Sequence, residues 1–267
     1  MKLLLNSTSW ILSALIIVLI AILLSMFILY LIHKYIPTRT LKKNHDVAGY
    51  TFGIVGILYS VILGFTVVNE QTRNNDVLQT IYTEAVALAD LYREADFFPV
   101  SNRNAIRASL HSYAEYVIQN EWGISNTNAI SIEGQEVIKK IWDSYHDVDL
   151  QDAKMKIWYE TSISKLDTFM NARIARQFSA WEHLGSMMWT ILLTGGIITI
   201  GFMYFFGLEN FRSHMIMTSL LTGYISFMLF LVYSLDHAYS GAQNTQPEAL
   251  EQVTRLFEHW DHDTASP

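Results

Sequence analysis

VAGYTFGIVGILYSVILGFTVV, residues 47–68, contains no Asp, Glu, Lys, Arg or His. As a helix rising about 1.5 Å per residue, it matches a bilayer hydrocarbon core about 30 Å thick. Three further stretches read the same way: WILSALIIVLIAILLSMFILYLI (10–32), GSMMWTILLTGGIITIGFMYFFGL (185–208) and MIMTSLLTGYISFMLFLVYSL (215–235). Buried helices of soluble proteins are rarely so long and so free of charge. The pattern predicts an all-α integral membrane protein with four transmembrane helices arranged as two hairpins. The first hairpin takes residues 1–69 and the second 185–236. An extramembrane helical-bundle domain, 70–184, is inserted between them, and a polar C-terminal tail, 237–267, follows.

The chain has 267 residues and a formal net charge of −7. Its middle part is acidic on balance, and no Lys/Arg cluster interleaves with aromatics, so nucleic acid is not an expected partner. The absence of cysteine removes disulfides, thiolate nucleophiles and Cys-ligated metals. Lys2 precedes the first apolar run, but that run exceeds a signal-peptide core and no small-x-small cleavage site follows, so a retained first span is expected. Between the first two spans, HKYIPTRTLKKNHD (33–46) carries Lys34, Arg39, Lys42 and Lys43, with Pro37 ending any helical continuation. The positive-inside rule assigns this loop to the cytoplasm and the middle domain to the opposite face.

From 70 to 184 the apolar periodicity is helical throughout. Val77, Leu78, Ile81, Tyr82, Ala85, Leu88, Ala89, Tyr92 and Ala95 recur at three- and four-residue steps, and no Gly or Pro separates them from span two, which predicts one continuous helix. Phe97, Phe98 and Pro99 break it, and Ser101 or Asn102 is placed to cap the next helix. A loop follows from Gly123 to Asn128, and Ser131 opens a third helix. A last helix beginning near Asp152 is expected to run directly into span three.

Span two holds the sharpest local pattern. Gly49, Gly53, Gly56, Ser60 and Gly64 fall within an arc of roughly 80° on one helix face. Small residues at such steps let helix backbones approach closely in lipid, seating the helix against its hairpin partner, or else they form a subunit contact or line a pore. Beside them runs a bulky stripe, Ile57, Val61 and Phe65. Arranged around a symmetry axis, such residues form stacked apolar rings that gate by dewetting.

Ser60-Val61-Ile62-Leu63-Gly64-Phe65-Thr66-Val67 resembles the S-F-V-L-G-F-Y-V pore-neck segment of bestrophin anion channels. On that motif Ile57, Val61 and Phe65 fall at the three apolar neck positions. Leu58 stands in place of the neck proline, Val61 in place of the middle aromatic, and Asn69-Glu70-Gln71 where the aromatic-rich continuation would be. Over nearly the whole chain the sequence is similar to the bacterial bestrophin-like family, long treated as a domain of unknown function. The matching residues are Asn44–Gly49, Leu58-Tyr59 with Leu63-Gly64-Phe65, EAVALADLYREA (84–95), Tyr113, Glu121-Trp122, Arg173, Arg176, FGLEN (206–210), and Leu235-Asp236 before Ser240-Gly241. Ala238 and Tyr239 replace the family's Pro and Phe. The resemblance implies a homo-oligomer, pentameric by analogy with bestrophins, in a bacterial inner membrane, passing inorganic ions along span two. It also implies a cytosolic helical domain, the reverse of the orientation read from loop charge.

Asn69 and Glu70 end span two, where a symmetric assembly would form a polar or carboxylate ring favouring cations. Arg103 and Arg107, four apart on one helix face, would instead draw anions to a vestibule. His111 with Glu115 and His146 with Asp143 lack a third ligand, and EHWDHD (258–263) lies in the polar tail, so no metal site and no cofactor is expected. No H-E-x-x-H, G-x-S-x-G, P-loop or dinucleotide fingerprint occurs. The spans also lack the ionisable residues of a proton-coupled transporter or intramembrane hydrolase. The expectation is therefore a non-enzymatic, bestrophin-like ion channel. The alternative is a non-conducting membrane scaffold or sensor whose helical domain binds a partner.

Overall fold

In hydrocarbon a backbone can satisfy its polar groups only within a helix or a closed barrel, and the non-alternating apolar runs of this chain choose the helix. The computed structural model describes residues 2–36, 45–122, 132–146, 148–179, 182–206, 210–237 and 246–265. Its helices are α1 (Lys2–Tyr35), α2 (His45–Glu94), α3 (Val100–Tyr116), α4 (Ile132–His146), α5 (Ala153–Ser179), α6 (Ser186–Tyr204), α7 (Phe211–Asp236) and α8 (Glu248–Ala265). No strand occurs among the described residues. The central part of the basic loop with Pro37, the Gly123–Asn128 loop, Ser131, residues 207–209 and the segment from Ala238 to Gly241 lie outside the described residues.

Among the described residues, four helices are long and apolar enough to cross a membrane, over Trp10–Tyr35, Val47–Phe97, Ser186–Tyr204 and Phe211–Asp236. The chain divides into two compact units. The first holds α1, α2 up to Asn74, α6 and α7. Here α1 packs mainly along α7, and α6 also lies against α7. At the seam, Thr222 Oγ1 donates to Ser25 Oγ at 2.9 Å, and Ser25 Oγ lies 2.8 Å from the Tyr204 hydroxyl. Gly195 of α6 makes room for the Tyr59 ring of α2: a Cβ on Gly195 would stand 2.5 Å from Tyr59 Cδ2. Tyr59 and Leu63 of α2 thereby join Leu192, Ile225 and Val232 in one apolar cluster. Asn210 caps α7, its side chain accepting from Arg212 N at 3.1 Å. The helix therefore starts before the expected 215 and encloses His214, whose Nε2 lies 2.8 Å from the Met203 carbonyl.

The second unit holds α2 from Asn75 onward, α3, α4, α5 and α8. As expected, α2 is one uninterrupted helix from the span into this unit's core. Leu88, Leu91, Tyr92, Ile106, Leu110, Tyr113, Ile141, Leu166, Phe169 and Phe257 are wholly enclosed there. Three local expectations are revised. Neither Ser101 nor Asn102 caps α3; the helix starts at Val100 behind Pro99, whose ψ of 150° and fixed φ end the preceding segment. The last helix does not run into span three, because residues 182–185 are non-helical and Gly185, with ψ 145°, precedes α6. The C-terminal stretch is not a simple polar tail: Glu248–Ala265 forms α8, which buries Leu250, Val253 and Phe257 in this core. Burying three such side chains contributes about 1.5–3 kcal/mol each.

Candidate functional site

The exposed face of α2 is where the sequence-read neck residues lie. Ile57, Val61 and Phe65 are 66%, 49% and 67% exposed within the chain. Four-residue steps keep them on one stripe, and Asn69, the next step, is exposed as well. Nothing lies within 4 Å of a Cβ placed on Gly53, Gly56 or Gly64, and Gly49 would meet only Phe206, at 3.9 Å. The small-residue face is therefore not what seats α2 on its own chain. That contact is made by the neighbouring face of Tyr59, Leu63 and Thr66. Beside it, Gly56, Ser60 and Gly64 border an apolar groove of about 360 Å³ walled by Tyr224, Ile225 and Met228.

Glu70 does not share Asn69's environment. It lies roughly 140° around the helix from Phe65, on the buried face, and is only 5% exposed. Arg73 Nη2 lies 2.7 Å from Glu70 Oε2, an ion pair without hydrogen-bond alignment, and 3.1 Å from Asp236 Oδ1. Asp236 in turn collects donors from the approach to α6. Leu184 N donates to its Oδ1 at 2.5 Å and Trp189 Nε1 to its Oδ2 at 3.3 Å. These bonds hold residues 183–185 in the non-helical path noted above. His183 and His237 flank the same carboxylate, and with Asp236 they form the one group among the described residues able to gather three metal-ligand atoms, within 4.8 Å of one another. Histidines and aspartate meet here from sequence positions that carry no ligand spacing, so the expectation of no metal ligands could not have anticipated them.

In the helical unit the charged residues singled out by the sequence fall mainly in two networks. Glu84, with no exposed surface, accepts from Arg176 Nε at 2.5 Å and from the Tyr113 hydroxyl. Glu121 accepts from Arg173 Nη2 at 2.5 Å and Arg176 Nη2 at 3.0 Å. A π-helical turn, Val117–Glu121, re-aims Glu121 after α3. Gly134 leaves room for the pair, since a Cβ there would stand 2.9 Å from Glu121 Oε1 and 3.0 Å from Arg173 Nη2. Burial alone would disfavour the Arg176 charge, but the Glu84 carboxylate against it holds the guanidinium well above the ordinary arginine value. Burial, reinforced by Glu84, pushes the Tyr113 hydroxyl up. The second network concerns the residues expected at an anion vestibule. Arg107 is buried between Asp96, at 2.9 Å, and Asp261, at 3.0 Å, with its guanidinium over the Tyr92 ring. Arg103 reaches Asp96 at 3.7 Å. Both line a groove of about 610 Å³ with His111 and Asn104. His111 pairs with Glu115 at 3.7 Å on the surface.

The chain's fold has close counterparts. A bacterial bestrophin homologue from Klebsiella pneumoniae, solved as a point mutant, superposes with a TM-score of 0.70 at 14% identity, covering 90% of this chain and 97% of its own. The Klebsiella pneumoniae homologue phased on zinc gives 0.66 at 15% identity, over 90% and 96%. A point mutant described only as a membrane protein gives 0.65 at 16%, over 92% and 97%. At such identity the likeness shows the fold. No curated protein matches the sequence. The Bestrophin-like domain family matches residues 19–250, and with the four apolar helices and the shared fold this integral membrane protein belongs to that family.

Proposed function

We propose that the protein is a homo-oligomeric ion channel whose pore is lined by the second span. One observation carries the reading: Ile57, Val61 and Phe65 form an exposed stripe beside Gly53, Gly56 and Gly64, where an added Cβ would meet no other part of the chain within 4 Å. A charge-free helix with one bulky and one glycine face is suited to a ring, in which the glycine face and its apolar groove receive a neighbour and the bulky face turns to the axis. Ile57, Val61 and Phe65 then set the neck, with Gly49, Gly53, Gly56, Ser60 and Gly64 at the helix contact. Asn69 is the polar residue next along the stripe. Arg103 and Arg107 contribute field only beyond the carboxylates that already hold Arg107. Glu70 acts through its pair with Arg73.

The spans cross as two hairpins, so the helical domain and both termini share one side of a bacterial inner membrane. The basic loop, 33–46, takes the cytoplasmic side by its charge, and a reporter fused after Pro267 tests this. Purified protein in planar bilayers is expected to conduct, and Ile57→Ala with Phe65→Ala to widen the neck and raise the current. Silence of both proteins, or a monomer or dimer in mild detergent, would overturn the channel reading in favour of a membrane scaffold whose helical domain binds a partner.

A further inference from the structure

We propose that His183, Asp236 and His237 bind a divalent transition-metal ion. The site is built in the first unit, where the segment before α6 meets the end of α7. His183 Nδ1 lies 3.8 Å from Asp236 Oδ1, and His237 Nδ1 lies 3.8 Å from Asp236 Oδ2. Taken one from each residue, the three ligand atoms lie within 4.8 Å of one another, against the roughly 3.3 Å between ligands on one tetrahedral zinc, so rotation of the two rings has to draw them closer. The rings already face each other, with centroids 5.1 Å apart.

The carboxylate is the fixed member. Asp236 is buried, and its Oδ1 is held by Leu184 N at 2.5 Å and Arg73 at 3.1 Å. Its Oδ2 receives only a long bond from Trp189 Nε1, at 3.3 Å, and keeps a lone pair for a metal. The imidazoles are the accessible members, His183 half exposed and His237 partly so, which gives an ion access from solvent. Each Nδ1 faces a backbone carbonyl, His183 that of Asp236 at 3.2 Å and His237 that of Tyr233 at 3.0 Å. Metal binding exchanges those bonds for Nδ1 coordination, leaving the ring proton on Nε2.

Two imidazoles with one carboxylate select zinc, nickel or copper over calcium or magnesium. Three protein ligands leave a fourth position for water. Arg73 does not block the site, because Glu70, 2.7 Å away, retains the guanidinium when the metal draws on Asp236. Arg73 and Glu70 belong to α2, so the ion ties the end of span two to α6 and α7.

Zinc is the probe. The full-length protein, purified without a histidine tag, is titrated by calorimetry and by thermal unfolding. The expected result is one zinc per chain and a zinc-dependent rise in melting temperature. His183→Ala with His237→Ala should weaken binding by at least about tenfold, the order that loss of even an outer partner costs a metal site. His111→Ala should leave binding unchanged. If the double variant elutes abnormally, His183→Gln alone must still weaken zinc binding. Equal zinc affinity in wild type and these variants, or loss of binding only on His259→Ala with His262→Ala in α8, would overturn the assignment. Neither outcome depends on whether the protein conducts.

Discussion

Arg176 Nε stands 2.5 Å from Glu84 Oε2 in the interior of the helical unit, where neither residue reaches solvent to any extent. Removing one partner strands a desolvated charge, so Glu84→Ala should destabilise the unit by about 3–5 kcal/mol. Replacing both, as Glu84→Leu with Arg176→Met, should cost clearly less than the sum of the single losses, because no charge is then left unpaired. Thermal unfolding in detergent with a double-mutant cycle measures this. Additive losses would mean that the two side chains do not interact.

The same burial makes the protein sensitive to alkali. Tyr113 and Tyr145 both have hydroxyls pushed above the ordinary value of 10.0, by burial first and by the carboxylates of Glu84 and Glu94 respectively. A group whose folded value is raised contributes stability that is complete below its unfolded value and is lost as pH rises towards the folded one. Stability should therefore be level up to about pH 10 and fall above it. Tyr113→Phe should lower stability at neutral pH, through the lost bond to Glu84, yet flatten the alkaline slope. Near-ultraviolet tyrosinate absorbance followed alongside unfolding checks the assignment, and an unchanged slope would remove Tyr113 from it.

In the C-terminal helix, apolar and ionic contacts should weigh very differently. Phe257 stacks on Tyr92 with ring centroids 3.8 Å apart and has no exposed surface. Phe257→Ala should cost about 3–5 kcal/mol. Asp261 contacts Arg107, but its side chain is half exposed, and Asp96 remains as a second carboxylate. Asp261→Asn should cost no more than about 1 kcal/mol. If truncation before Glu248 leaves the melting temperature unchanged, α8 does not belong to this core.

Much of this was legible in the residues, for specific reasons. Charge-free runs identify spans because lipid tolerates little else, and the absence of Gly or Pro between span two and the stripe from Val77 to Ala95 correctly predicts one helix. The amphipathic spacing of Leu250, Val253 and Phe257 was also present, but the surrounding acidic and histidine residues masked it as a polar tail. Glu70 was grouped with Asn69 by its position at the end of span two, although its angle on the helix matches Tyr59, Leu63 and Thr66 rather than Phe65. The Asp236 cluster was not legible, because His183 and Asp236 are 53 residues apart and only packing brings them together. Nor was the π turn, whose extra residue per turn leaves no compositional mark.

That angular difference between two adjacent residues yields the sharpest test of the proposed pore. Asn69 continues the exposed stripe, whereas Glu70 is buried against Arg73. If the stripe faces the axis, Asn69→Asp adds one carboxylate per subunit to a ring just beyond Phe65. The ring's potential should raise relative cation permeability by on the order of tenfold, and Asn69→Arg should shift it the opposite way. Glu70→Gln should leave the reversal potential in a salt gradient where it was and lower the melting temperature, because the ion pair with Arg73 is lost. A shift in reversal potential with Glu70→Gln and none with Asn69→Asp would put the buried face on the ion path and exclude Ile57, Val61 and Phe65 as the neck.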